Sequence, residues 1–139
     1  MNEINTNLLE ETVKKLLAKG KGILAADESN GTADKRLASI EMEGGEENRR
    51  RYRELFLCMH GLEDYVSGVI LYDETFWQKD CSGQHTFVEN LEKKGIVPGI
   101  KVDMGAKDFP GFPEEKLTVG LDDLSFVAHV GYIHFATHS

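Results

Sequence analysis

The stretch "GKGILAADESNGTADKRL", residues 20–37, changes character in one step. Ile23-Leu24-Ala25-Ala26 is apolar; Asp27-Glu28 is acidic; Ser29, Gly31 and Thr32 follow, and then Lys35-Arg36. A short apolar run between Gly22 and Asp27 fits a buried strand over 22–26, although periodicity alone does not separate it from a helix segment. On its amino side, Leu9, Val13, Leu16 and Leu17 recur at helical spacing and predict a helix over 7–19. Asn7 is the expected cap of that helix and Gly20 its stop. On the carboxyl side, Thr32 is the expected cap of a second short helix reaching about Ile40.

The same alternation continues along the chain. "EMEGGEE" (41–47) reads as a loop into a helix that Gly61 stops. Tyr52, Leu55, Phe56 and Met59 define its apolar face, with Arg49, Arg50, Arg51 and Arg53 mostly off it. "GVILY" (68–72) is a second strand candidate, followed by "DETFWQKDCSGQ" as a loop. Thr86 and Glu89 have capping-box spacing and open a helix to about Lys94. "GIVPGIKV" (95–102) is a third strand candidate, weakened by Pro98. Residues 103–125, with Pro110 and Pro113, read as loop. Strands alternating with helices predict an α/β fold with a parallel sheet, either doubly wound or closed as a barrel.

Bulk properties narrow the partners. The 139 residues are 40% hydrophobic and 29% charged, which suits one globular domain. A net charge of −8 argues against a nucleic-acid partner but leaves room for a small phosphorylated ligand in a local basic pocket. The amino terminus does not read as a secretory signal, and no apolar run approaches the roughly 18 residues of a membrane span. A soluble, cytoplasmic protein with reduced Cys58 and Cys81 is expected, without a membrane partner. The five histidines, His60, His85, His129, His134 and His138, form no familiar ligand pattern, so neither a metal nor another cofactor is expected.

Ligands of parallel α/β folds gather at the carboxyl ends of the strands. That rule selects Asp27-Glu28-Ser29, Tyr72-Asp73-Glu74 and Lys101-Val102-Asp103. Asp27, straight after four apolar residues, suits proton transfer or hydroxyl binding, or else a polar strand end. Glu28 and Glu74 are weaker candidates of the same kind. Ser29 and Thr32 before a helix suit a phosphate or ordinary capping. Arg36 suits a bidentate phosphate contact or a solvated surface. Lys101 suits anion binding, a nucleophilic amine if desolvated, or a pairing with Asp103.

These stretches in this order, together with "EENRRRYRELF", "GVILYDET", "GIVPGIKVD" and "LTVGLDDLS", resemble class I fructose-bisphosphate aldolase. The resemblance covers about residues 8–125. It implies the amino-terminal part, about three βα units, of an incomplete (β/α)8 barrel over 1–125, with 126–139 as a tail that does not match. It implies reversible cleavage of fructose 1,6-bisphosphate in glycolysis, through a lysine Schiff base and without a metal. By position, Asp27 looks like the aspartate that orients substrate hydroxyls and assists at the carbinolamine step. Ser29 and Thr32 match phosphate-contacting hydroxyls, with serine at the second position in many members. Arg36 and Arg49 match substrate-binding arginines, and Lys101 a phosphate-binding charge. The family's Schiff-base lysine has no counterpart here, and the tail after Ser125 contains no lysine at all. The 139 residues alone are therefore expected to be inactive. Other expectations are a non-catalytic protein or defective subunit that joins full-length aldolase, a homo-oligomer, or a small phosphosugar-binding module.

Overall fold

The first strand begins where the apolar run begins. A computed structural model describes residues 6–120. The expectations for the tail, including its three histidines, and for residues 121–125 lie outside the described residues. The chain divides into two units, Met1–Ile100 and Lys101–Ser139. In the first, β1 (Gly22–Ala26), β2 (Val66–Leu71) and β3 (Val97–Ile100) form a parallel sheet in the order β1-β2-β3. Six helices accompany them among the described residues: α1 (Thr6–Leu16), α2 (Asn30–Ala38), α3 (Glu46–Leu57), α4 (Leu62–Tyr65), α5 (Asp73–Trp77) and α6 (Phe87–Lys93). The alternation of apolar runs and helical periods therefore becomes consecutive βα units.

Strand register sorts the side chains into two faces. Leu24 lies opposite Val69 and Val69 opposite Pro98; Ala26 lies opposite Leu71 and Leu71 opposite Ile100. This face meets Leu57, Leu62, Phe76, Phe87, Val88 and Leu91 from α3 to α6, and together they form the core. Full burial of each Leu, Val or Phe there contributes about 1.5–3 kcal/mol. Ile23, Ala25 and Ile70 point the other way, with Ile23 52% and Ile70 37% exposed. Leu16 of α1 reaches that second face at Gly68, where an added Cβ would come within 2.5 Å of its Cδ2. Ser67 ties the same end of α1 down by donating to the Leu16 carbonyl at 2.7 Å.

Several local expectations are corrected. Helix α1 begins at Thr6 and ends at Leu16, so Asn7 lies inside it, and residues 17–20 are turn and coil. Helix α2 begins two residues before Thr32. Ser29 is its N-cap, and the Thr32 and Ala33 amides donate to the Ser29 carbonyl, each at 2.9 Å. Strand β2 runs from Val66 to Leu71 rather than 68–72, and α5 occupies the start of the expected loop. Asp73 and Glu74 favour that helical turn because they sit at its positive end. The Thr86–Glu89 capping box forms as expected: the Glu89 amide donates to Thr86 Oγ1 at 3.1 Å, and the Thr86 amide to Glu89 Oε2 at 2.6 Å. Pro98 does sit in β3, on a strand that pairs on one side among the described residues, where a missing donor is tolerated.

The apolar face expected for α3 is also corrected. Leu55 is 77% and Met59 50% exposed, whereas Arg49, Arg53 and Leu57 are buried. Those three recur at i, i+4 and i+8. The sheet's carboxyl edge supplies carboxylates for the two arginines, and paired charge can be buried where unpaired charge cannot.

The second unit replaces an expected loop with a hairpin. Strands β4 (Ala106–Phe109) and β5 (Phe112–Thr118) pair antiparallel around Pro110-Gly111. Proline presets the first turn position and Gly111, at φ 85°, takes a left-handed second one. The Phe109 and Phe112 rings stack at 5.5 Å across the turn. Every residue of both strands is exposed, so no inside–outside alternation marked them.

Candidate functional site

Asp27 leaves β1 at the carboxyl edge of the sheet and is half-buried. The chain turns at once through Glu28 into Ser29, the cap of α2. The Ser29 and Thr32 hydroxyls lie 3.2 Å apart in the first turn of that helix. Both are exposed.

Behind this edge stands a set of arginine–carboxylate pairs. Arg49 donates from Nε to Glu74 Oε1 at 2.8 Å and from Nη2 to Glu74 Oε2 at 2.7 Å, a bidentate clamp. Its Nη1 donates to both Asp34 oxygens, at 2.9 and 3.1 Å. Asn30 donates to Glu74 Oε2 at 3.1 Å. Arg53, 1% exposed, donates to the Glu28 carbonyl at 2.7 Å and to the Thr75 hydroxyl, and its Nη2 lies 3.2 Å from Glu28 Oε2. Arg36 pairs with Glu28 and donates to the Tyr52 hydroxyl at 3.1 Å. Strand ends thus offer anions, and α2 and α3 offer cations.

The electrostatics follow from those contacts. The hydrogen-bonded Glu74 carboxylate raises the Arg49 guanidinium above its ordinary value, against burial. The Arg49 hydrogen bond and the Gly45 amide hold Asp34 below the usual carboxylate value. Burial pushes Arg53 down, and the charges of Glu28, Glu74 and Asp27 act the other way. Asp27 stands at the same edge of the sheet, next to Glu28 in the chain, where a carboxylate can orient hydroxyls.

Of the six expected residues, Ser29 and Thr32 come into contact with each other, and Asp27 adjoins them in the chain. Arg36 and Arg49 are each held by carboxylates. Lys101 follows β3 and opens the second unit, where its ammonium pairs with Asp103; that bond and the Gly105 amide lower the Asp103 carboxyl. The sequence reading does not single out Arg53, and its two weaker candidates, Glu28 and Glu74, are the carboxylates that pair with Arg53 and Arg49. The available signal was the 49/53/57 stripe on α3 facing acidic strand ends. An open groove of about 700 Å³ beside the cluster is lined by Glu46, Arg50, Glu74, Trp77, Gln78 and Lys79 among others, and by none of the six expected residues. Among the described residues, no group of three His, Cys, Asp or Glu side chains is placed to hold a metal, and no helix is long and apolar enough to cross a membrane.

Known proteins share this arrangement of sequence and fold. The family described as "Fructose-bisphosphate aldolase class-I" matches residues 8–133, which carries the likeness past Ser125. A probable fructose-bisphosphate aldolase class 1 of Xanthomonas axonopodis is 53% identical over 116 residues, covering 84% of this chain and 34% of the relative. Fructose-bisphosphate aldolase 1 of Toxoplasma gondii is 51% identical over 117 residues, 84% of this chain and 32% of that one. The solved structure of a Plasmodium falciparum fructose-bisphosphate aldolase, in complex with TRAP and a small-molecule inhibitor, superposes with a TM-score of 0.79 at 47% identity. That superposition covers 85% of this chain and 34% of the other. The three consecutive βα units are thus part of the aldolase barrel, and the chain spans about a third of the length of these relatives. It belongs to the class I fructose-bisphosphate aldolase family.

Proposed function

We propose that the chain carries the first part of a class I aldolase site, which reversibly cleaves fructose 1,6-bisphosphate to dihydroxyacetone phosphate and glyceraldehyde 3-phosphate in glycolysis, through a lysine Schiff base. In this reading Asp27 orients the substrate hydroxyls and moves a proton at the carbinolamine step. Ser29 and Thr32 donate to a sugar phosphate; Arg36 and Arg49 hold the substrate; Lys101 supplies a phosphate-binding charge. The observation that carries the reading is the position of Asp27, at the carboxyl end of β1 beside a braced arginine–carboxylate cluster. Arg49 is bidentate to Glu74 and also clamped by Asp34, so its work is to hold geometry as much as to meet an anion.

The imine-forming lysine has no counterpart in these 139 residues, so the chain by itself has no turnover. Fructose 1,6-bisphosphate binds it weakly, with a Kd of about 1 mM or above, because the pocket is partial. A coupled cleavage assay and an amide NMR titration test this together. Expected are no cleavage and small shifts at Asp27, Ser29 and Thr32. Aldolase-rate cleavage, or no shift at those residues, overturns the reading.

A second reading is a non-catalytic chain that associates with family members, favoured by the exposed face of the sheet. Affinity capture from the native cytosol tests it. We assign the chain to the cytoplasm, in keeping with the free thiols of Cys58 and Cys81. Cell fractionation separates this from the plastid, the compartment named for an Arabidopsis thaliana relative.

A further inference from the structure

Cys58 and Cys81 are the two cysteines of the chain, and the candidate site uses neither. Cys58 caps the carboxyl end of α3 and is half-buried. Its amide donates to the Glu54 carbonyl at 3.0 Å, so the two residues stand one turn apart on the same side of the helix. Cys81 lies between α5 and α6 and is exposed. The Cys81 amide donates to Glu54 Oε1 at 2.5 Å. One glutamate thus holds the backbone of the second cysteine while standing a helical turn from the first. Both cysteines line a single small cavity of about 190 Å³, together with Glu54, Asp80, Asn90 and Lys94 among others.

The segment that carries Cys81 is anchored on both helices. Arg50 of α3 donates to the Lys79 carbonyl at 3.3 Å and to Glu54 Oε2 at 3.1 Å. Asn90 of α6 donates to Asp80 Oδ2 at 2.9 Å, and the Asp80 amide to the His85 carbonyl at 2.9 Å. A cavity of this volume has room for about six waters. A disulfide bridges Cα atoms up to about 7 Å apart, so a side-chain rotation and a small shift of the exposed segment bring the two sulfurs together. Burial, with the charges of Glu54 and Asp80, pushes the Cys58 thiol up, against the Lys94 ammonium. The Glu54 carboxylate pushes the Cys81 thiol up as its hydrogen-bond acceptor, and the Asp80 charge acts the same way. The reduced pair is thereby held as thiols, and the thiolate is the reacting form.

We propose that Cys58 and Cys81 form an oxidative modification site, which a peroxide closes to an intramolecular disulfide across their shared cavity. The Cys81 thiolate attacks one peroxide oxygen; the O–O bond breaks, Cys81 becomes a sulfenic acid, and the departing hydroxide takes up the thiol's proton as water. The Cys58 thiolate then attacks the Cys81 sulfur; the S–S bond forms, the S–O bond breaks, and the second hydroxide leaves as water with the Cys58 proton. Two thiols are oxidised to one disulfide, and one peroxide is reduced to two waters. The bond closes a loop that contains β2 and α5. It ties α3, which carries Arg49, to the segment that follows α5, which carries Glu74, and so fixes the two helices whose side chains meet in the bidentate clamp. The inference rests on neither family membership nor the catalytic reading.

The test exposes the reduced 139-residue chain to a slight molar excess of hydrogen peroxide and follows its intact mass. Expected are the loss of two hydrogens in the monomer, a Cys58–Cys81 crosslinked peptide in the non-reduced digest, and full reversal by a dithiol reductant. Amide hydrogen exchange in α5 and in residues 79–83 slows about tenfold on oxidation, and the urea midpoint rises, because the closed loop restrains the unfolded chain. Cys58→Ser leaves Cys81 as a sulfenic acid that a cyclic diketone probe traps. Glu54→Gln keeps an acceptor for the Cys81 amide without the charge, and speeds the crosslink about threefold or more. A monomer that gains oxygen without the crosslink, a disulfide formed only between two copies, or exchange and urea midpoint unchanged by the crosslink each overturns the proposal. The mapped peptide comes from the unsubstituted chain, so the result does not depend on whether a variant folds. A rate unchanged in Glu54→Gln overturns the part assigned to Glu54.

Discussion

Leu71 and Ile70 are neighbours in one strand and live on opposite sides of it. Leu71 is fully buried among Leu57, Phe76 and Leu91, whereas Ile70 is 37% exposed. Both belong to "GVIL", a run with no polar interruption. A strand buried on one face alternates apolar and polar residues; a strand buried on both reads as a continuous apolar run. The run in β2 is therefore written for two-sided burial, while the described chain covers one side. The covered side supplies the core and the arginine cluster at its rim, and the second side leaves Ile23 and Ile70 partly open among the described residues.

The sharpest way to break this comparison is to truncate both neighbours. Leu71→Ala is expected to cost about 2–5 kcal/mol in urea unfolding, because it empties a packed site. Ile70→Ala is expected to cost less than about 1 kcal/mol, because water already reaches it. Equal costs would mean that the second face is covered too. Arg53→Ala comes next, with an expected loss of about 3 kcal/mol, since it leaves Glu28 with reduced charge compensation at the rim of the covered face. Arg36→Ala, solvent-facing and 53% exposed at its side chain, removes another partner of the same Glu28 and is expected to leave the urea midpoint nearly unchanged, because water screens the pair. A loss equal to that of Arg53→Ala would show that burial does not decide the energetics of the cluster. Thr86→Ala removes the capping box of α6, which packs on the covered face, and is expected to cost about 1 kcal/mol by thermal unfolding.

The smallest expected effect is on acid stability. Arg49 holds Asp34 below its ordinary value of 3.8, so the folded state binds fewer protons there than the unfolded state. That contribution is fully present above 3.8 and is lost as the pH falls through the lowered value. The Ser82 hydroxyl and Asn90 shift Asp80 the same way. Urea midpoints measured from pH 6 downward should fall below pH 3.8, and Arg49→Gln should make that fall shallower. An unchanged profile would detach the rim cluster from acid stability.

Much of the fold was legible because it rests on local order. Apolar runs at 22–26, 68–72 and 95–102, separated by helical periods and by the Thr86–Glu89 box, suffice for parallel βα units, although the strands themselves run Gly22–Ala26, Val66–Leu71 and Val97–Ile100. Asp27 was legible for the same reason: a carboxylate ending an apolar run in such a fold lies at a strand's carboxyl end. Arg53 was not, because a buried guanidinium depends on Glu28 and Thr75, which lie far from it in sequence. The hairpin at 106–118 was not, because its exposed strands leave no alternation and its Pro-Gly turn reads as loop.

The amino-acid sequence by itself determined the order of the elements, the family, and the residue types at the strand ends, since each is encoded within a few neighbouring positions. The tertiary structure alone decided which arginines of α3 are buried, which carboxylates hold Arg36 and Arg49, and which face of the sheet is covered. Those depend on registers and helix placements that bring distant residues within 3 Å, and a hydrogen bond or a packed methyl responds to that distance rather than to separation along the chain.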